Sequence, residues 1–187
     1  MKQGIISEQK VIEEVTKAIS EGLDIAPKRV QLESSLIKDL GAESLDFLDI
    51  NYRLEQTFGI KMARHSALEH MEEMFGEETA IDSDGKLTEK AVKVLCLRFN
   101  NSSGQLEAGM DMDELPSMVT VQSIVDGVMS LLDTLPESCS NCGKCEWKIE
   151  SECRLQCGSC GEQAAFANGD DLVDAWLTQV QEKEKIF

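Results

Sequence analysis

The chain has 187 residues and is strongly acidic: 35 Asp and Glu against 18 Lys and Arg give a formal net charge of −17. Such a surface repels phosphate backbones, which excludes nucleic acid as an expected partner and favours basic protein surfaces. A hydrophobic content of 42% supplies a core and excludes a disordered acidic tail, and the length fits one or two small domains.

The opening residues MKQGIISEQK contain no apolar run of signal-peptide type. No stretch approaches membrane-spanning length without charge, so neither membrane insertion nor export is expected, and the expected location is the cytoplasm. From about Ser7 to Leu23 a first helix is predicted, with Val11, Ile12, Val15, Ala18 and Ile19 on one face. Gly22 and Pro27 end it. A long loop from Ala26 to Lys38 follows, anchored by Val30, Leu32, Leu36 and Ile37.

Asp39-Leu40-Gly41-Ala42 reads as a turn into a second helix that runs uninterrupted to Phe58. Phe47, Ile50, Leu54 and Phe58 form one apolar stripe, and Leu45, Leu48 and Tyr52 form another on a different face. One stripe fills a small core; the other is left for solvent or a partner. Ser44 opens this helix among Glu43, Asp46 and Asp49. On spacing alone it reads as an N-cap. It is not an activated nucleophile: no GxSxG elbow surrounds it, and both histidines, His65 and His70, lie in a separate segment.

Between Ile60 and Val119, short helices are predicted at Ala67–Phe75 and Leu87–Phe99, separated by a turn and followed by a loop over 100–104. Asp82-Ser83-Asp84-Gly85 matches part of a calcium-binding loop. Alanines at positions 80 and 91 stand where that loop needs carboxylates, so the segment reads as a plain turn. His65 and His70 fall at i and i+5, share no helix face and read as surface residues, and Cys96 reads as a buried thiol. The acidic run from Asp111 to Glu114 reads as solvated. Thr120 is positioned to cap a further helix, with Val121, Ile124, Val125, Val128, Leu131 and Leu132 buried and Pro136 ending the segment.

Of 7 cysteines, all but Cys96 crowd between Cys139 and Cys160. Cys139-Ser140-Asn141-Cys142-Gly143 and Cys157-Gly158-Ser159-Cys160-Gly161 are two CxxCG knuckles around a predicted strand at Glu146–Ile149. The pattern resembles a zinc ribbon, in which two knuckles close a four-sulfur tetrahedral site. Cys142 and Cys145 also form a CxxC pair, and Cys153 is an alternative ligand. The trailing glycines favour Cys139, Cys142, Cys157 and Cys160 as the metal set. Cys145 and Cys153 are left for a second metal, for each other, or free. The spacing fits neither common ferredoxin run, and no βαβ pattern supports a redox motif. Four thiolates leave zinc no open position for catalysis. A last helix opens at Asp170 and Asp171, with Leu172, Val173, Trp176, Leu177 and Val180 as its stripe; it is expected to pack on the ribbon or the core of the first helices.

The string Asp39-Leu40-Gly41-Ala42-Glu43-Ser44-Leu45-Asp46, continued through Leu54-Glu55-Gln56-Thr57-Phe58-Gly59-Ile60, resembles the prosthetic-group site of acyl carrier proteins. Glu43 stands where Asp is usual, which keeps the charge and lengthens the side chain. The long first loop and the helix after Thr120 are also similar to that family; the segment 62–117 departs from it. The resemblance implies a mainly α protein. An acyl-carrier-like bundle over 1–135 holds an inserted helical segment at 62–117, and a zinc-ribbon-like domain with a terminal helix follows over 136–187. It implies covalent phosphopantetheine on Ser44, whose thiol carries acyl groups as thioesters; the ribbon-like knuckles separately imply zinc as a second cofactor. Glu43, Asp46, Asp49 and Glu55 with Leu45, Leu48 and Tyr52 are the implied partner-binding residues. The implied partners are a phosphopantetheinyl transferase and enzymes that synthesise or transfer acyl chains. The chain itself is not an enzyme on this reading, and its setting is fatty-acid, polyketide or specialised lipid synthesis. A peptidyl carrier of aminoacyl thioesters and a zinc-ribbon adaptor that has lost its modification are the alternatives.

Overall fold

A computed structural model describes residues 4–98 and 106–187. Among them are the helices α1 (Glu8–Gly22), α2 (Ser44–Phe58), α3 (Ala67–Phe75), α4 (Glu89–Arg98), α5 (Val121–Leu132) and α6 (Gly169–Glu184), with strands β1 (Trp147–Ile149) and β2 (Leu155–Cys157). The fold is mainly α, as expected. The loop expected over 100–104, and Phe99 at the end of the fourth predicted helix, lie outside the described residues. The chain forms two compact units: Met1–Met62 with Val119–Asn168, and Ala63–Met118 with Gly169–Phe187.

In the first unit, α1 starts at Ser7, whose hydroxyl accepts the Lys10 N–H at 3.2 Å. Its apolar face meets those of α2 and α5. Val11, Val15 and Ile19 of α1, Ile50, Leu54 and Phe58 of α2, and Val125, Val128 and Leu132 of α5 are buried together. This removal of apolar surface from water is the main stabilising term of the bundle. The long loop between α1 and α2 is pinned rather than slack. Leu36 donates to the Val119 carbonyl, and Val121 and Gln122 donate back to Ser34 and Leu32. Val30 and Leu36 are buried there, while Leu32 and Ile37 are half-buried. Thr120 caps α5, accepting the Ser123 N–H at 3.2 Å.

The cysteine-rich segment belongs to this same unit. β1 and β2 pair antiparallel, Trp147 opposite Cys157. Arg154, between them and the bundle, donates to the Gln56 carbonyl at 2.6 Å and to Gln56 Oε1 at 3.0 Å. It thereby occupies one main-chain carbonyl left over at the C-terminal end of α2, together with the side-chain amide oxygen of the same residue. Thr134 just after α5 accepts the Ala167 N–H at 2.9 Å, which ties down the far end of the ribbon.

In the second unit, α3 begins with a capping box: the Ser66 hydroxyl accepts the Glu69 N–H, and Glu69 accepts the Ser66 N–H at 2.6 Å. The loop at Asp82 is a turn closed by its own carboxylate, which accepts the N–H groups of Asp84 and Lys86. The terminal helix departs from expectation. Its apolar stripe does not serve the ribbon: Val173, Leu177 and Val180 lie in a core with Leu68, Met71, Val94 and Leu95. Phe75 stacks on Phe187 at 4.0 Å. Two further expectations are corrected. Cys96 is half-buried at the edge of this core rather than enclosed. His70 is not a surface residue: it is 3% exposed and engaged by α6 carboxylates. His65 is exposed, as expected.

Candidate functional site

Ser44 is the first residue of α2 and is exposed. The turn before it positions it. Leu40 and Ala42 are buried, the Ala42 N–H donates to the Leu36 carbonyl at 2.8 Å, and Gly41 takes φ +79°. Only a residue without Cβ adopts that angle freely. The N-cap position belongs to Glu43, one residue earlier, and Asp46 accepts the Glu43 N–H at 2.7 Å. The bland reading of Ser44 as a cap is therefore corrected. Among the described residues no hydrogen bond uses its hydroxyl. It faces solvent, and neither histidine belongs to its unit.

The second stripe of α2 stands out of the fold. Leu45 is 76% exposed, Leu48 56% and Tyr52 58%. The stripe Phe47, Ile50, Leu54 and Phe58 turns inward, with Phe47 half-buried. The acids on α2 differ in freedom. Glu43 is exposed; Asp46 serves the helix start; Asp49 pairs with Arg53 at 2.6 Å, which also reaches Glu21 at 3.1 Å; Glu55 accepts the Met62 N–H at 2.9 Å. An exposed hydroxyl thus stands at the head of an apolar, acid-bordered stripe.

A second cluster lies in the ribbon. The sulfurs of Cys139, Cys142, Cys157 and Cys160 all lie within 4.8 Å of one another. Cys139 and Cys160 are 3.6 Å apart, as are Cys142 and Cys157. A zinc–sulfur bond of about 2.3 Å implies a tetrahedral edge of about 3.8 Å, so the spacing fits one zinc ion. The knuckle glycines Gly143 and Gly161 take φ +71° and +80° and fold their N–H groups back to Cys139 and Cys157. The N–H groups of Cys160 and Ser159 hold the Cys157 thiol down to about 7. Cys142 is pushed up to about 12: the Lys144 N–H draws it down, but burial and the neighbouring sulfurs outweigh that. Four sulfurs this close ionise together only around a cation. Cys145 is exposed and Cys153 buried, and neither belongs to the four-sulfur cluster. Sequence reasoning missed Arg154 as the tie between ribbon and α2; no local pattern signals a contact between residues so distant in the chain.

These features define a helical domain with an exposed serine at the head of α2 and a cysteine-rich extension. A family profile described as phosphopantetheine attachment site matches residues 13–71. The acyl carrier protein of Campylobacter hominis is 43% identical over 53 residues, which is 28% of this chain and 67% of that protein. That of Campylobacter fetus subsp. fetus is 40% identical over 52 residues, 28% of this chain and 68% of that protein. That of Helicobacter acinonychis is 37% identical over 57 residues, 30% of this chain and 73% of that protein. The chain belongs to the acyl carrier protein family. Among the described residues no helix is long and apolar enough to cross a membrane.

Proposed function

We propose that Ser44 is the attachment point for phosphopantetheine and that the chain carries acyl groups between partner enzymes. The observation that carries this reading is the exposed Ser44 hydroxyl, released from capping by Glu43, at the head of the exposed stripe Leu45, Leu48 and Tyr52. A phosphopantetheinyl transferase would use coenzyme A as donor, with the Ser44 oxygen as acceptor. The arm, once attached, supplies a thiol that holds acyl groups as thioesters. Glu43, Asp46, Asp49 and Glu55 then meet basic groups on the partner, while Leu45, Leu48 and Tyr52 give apolar contact. On this reading the protein is a substrate and shuttle rather than a catalyst. It works in the cytoplasm in fatty-acid, polyketide or specialised lipid synthesis. Cys139, Cys142, Cys157 and Cys160 hold one structural zinc ion that fixes the ribbon against the end of α2.

Intact mass after incubation with coenzyme A and a broad-specificity transferase tests the reading. A phosphopantetheine adduct that disappears in Ser44→Ala is expected. An unmodified chain beside a control carrier that is fully modified would overturn it.

A further inference from the structure

Four side chains converge within the second unit. His70 lies on α3, His65 just before it, and Asp170 and Asp174 on α6. The His70 side chain is 4% exposed. Its Nδ1 is 2.7 Å from Asp174 Oδ1, and its Nε2 is 3.2 Å from Asp170 Oδ1. A neutral imidazole has one N–H, so it donates to only one of two carboxylates. The shorter contact assigns that proton to Nδ1. The Nε2 lone pair then faces a carboxylate oxygen, an arrangement that repels unless a cation lies between them.

The cation is either a second proton on His70 or a metal ion, and the surroundings favour the metal. A proton needs no third donor, yet His65 Nδ1 stands 3.7 Å from the same Asp170 oxygen, and its ring meets that of His70 edge-on with centroids 5.8 Å apart. One ligand atom each from His65, His70 and Asp170 lies within 4.8 Å of the others. Zinc bonds of about 2.0–2.1 Å to nitrogen and oxygen imply a tetrahedral edge of about 3.3 Å; the His70 separation of 3.2 Å matches it, and the His65 separation of 3.7 Å needs the exposed His65 ring to draw in by about 0.4 Å. Asp174 supplies what buried metal-binding histidines ordinarily have, a carboxylate on the other ring nitrogen that fixes tautomer and orientation. Asp170 Oδ1, the oxygen nearest both histidines, is itself held in place by the N–H groups of Arg64 at 2.9 Å and His65 at 3.1 Å, so a metal would take it alongside those bonds or bind the other carboxylate oxygen.

We propose that His65, His70 and Asp170 form a second metal site for a divalent ion of the zinc class. Asp174 is its positioning carboxylate, and a fourth coordination position is open to water. The site ties the segment preceding α3 to the start of α6.

Native mass spectrometry of the full chain with added zinc tests this. A second equivalent of zinc is expected beyond the one held by the cysteines. It should persist in the Cys142→Ser, Cys157→Ser double variant and be lost in His65→Ala. That exposed position leaves the core of the unit intact. Asp174→Asn should weaken this equivalent ten- to a hundredfold. Cobalt bound to a variant with Cys139, Cys142, Cys157 and Cys160 all changed to Ser should show a visible spectrum without thiolate charge transfer, unlike cobalt in the ribbon. Failure of the ribbon reading would remove only the cysteine-dependent equivalent, so the two readings fail separately. Zinc binding unchanged by His65→Ala would overturn the proposal. So would nitrogen NMR showing both ring nitrogens of His70 protonated in saturating zinc.

Discussion

Gly41 and Leu48 show how single side chains set up the α2 surface. Nothing lies within 4 Å of where a Cβ on Gly41 would stand, so Gly41→Ala probes the backbone angle alone. It is expected to destabilise the chain by about 1–2 kcal/mol, read as a lower urea midpoint at unchanged slope. Leu48 gives the opposite dissection, because its side chain is already in solvent. Leu48→Glu should leave stability within about 0.5 kcal/mol. It should also lower the transferase kcat/KM about tenfold, the loss expected for one apolar contact at a docking surface. Steady-state kinetics beside thermal unfolding would separate the two effects. At this scale the two stripes of α2 were legible from periodicity. The capping residue was not, because Glu43 and Ser44 differ by one position and helix ends are the least determined part of a periodic pattern. The histidines were misjudged for a related reason: the i, i+5 argument assumes both lie in one helix, whereas Ser66 starts α3 between them.

Individual elements owe their precision to ties that cross the chain. α1, α2 and α5 follow their apolar patterns closely, since each buries one continuous face and ends at a recognisable cap or glycine. The ribbon is held differently. Arg154 reaches two oxygens of Gln56, where the α2 dipole is negative. Arg154→Ala should lower stability by about 1 kcal/mol, the typical net worth of a hydrogen bond, because exposure to solvent offsets the gain from its charge; urea denaturation checks it. The knuckles were legible from CxxCG spacing, which is local chemistry. The partner of α6 was not: an amphipathic stripe states that a helix must be covered, not by what.

The molecule as a whole divides between two units, and each contains one tryptophan: Trp147 in the first and Trp176 in the second. In a Trp176→Phe chain, fluorescence reports only the ribbon, where the indole N–H donates to the Pro136 carbonyl at 2.8 Å. Chelation should shift that emission to the red and lower its denaturation midpoint, because zinc affinity for the folded site is part of folding stability. An emission unaffected by a strong chelator would count against four-sulfur zinc binding. The two-core arrangement was illegible beforehand because both units are discontinuous in the chain, and periodicity carries no information about which distant stripes meet.

That discontinuity also orders events during synthesis. All the segments of the first unit have been made once residue 168 is added, whereas Leu68, Met71, Val94 and Leu95 must wait for α6 to cover them. A ribosome pausing between those points would hold a finished carrier bundle beside a half-built neighbour with its greasy side open. In that interval, chaperones would find their binding site in the 63–118 stretch rather than in the carrier bundle.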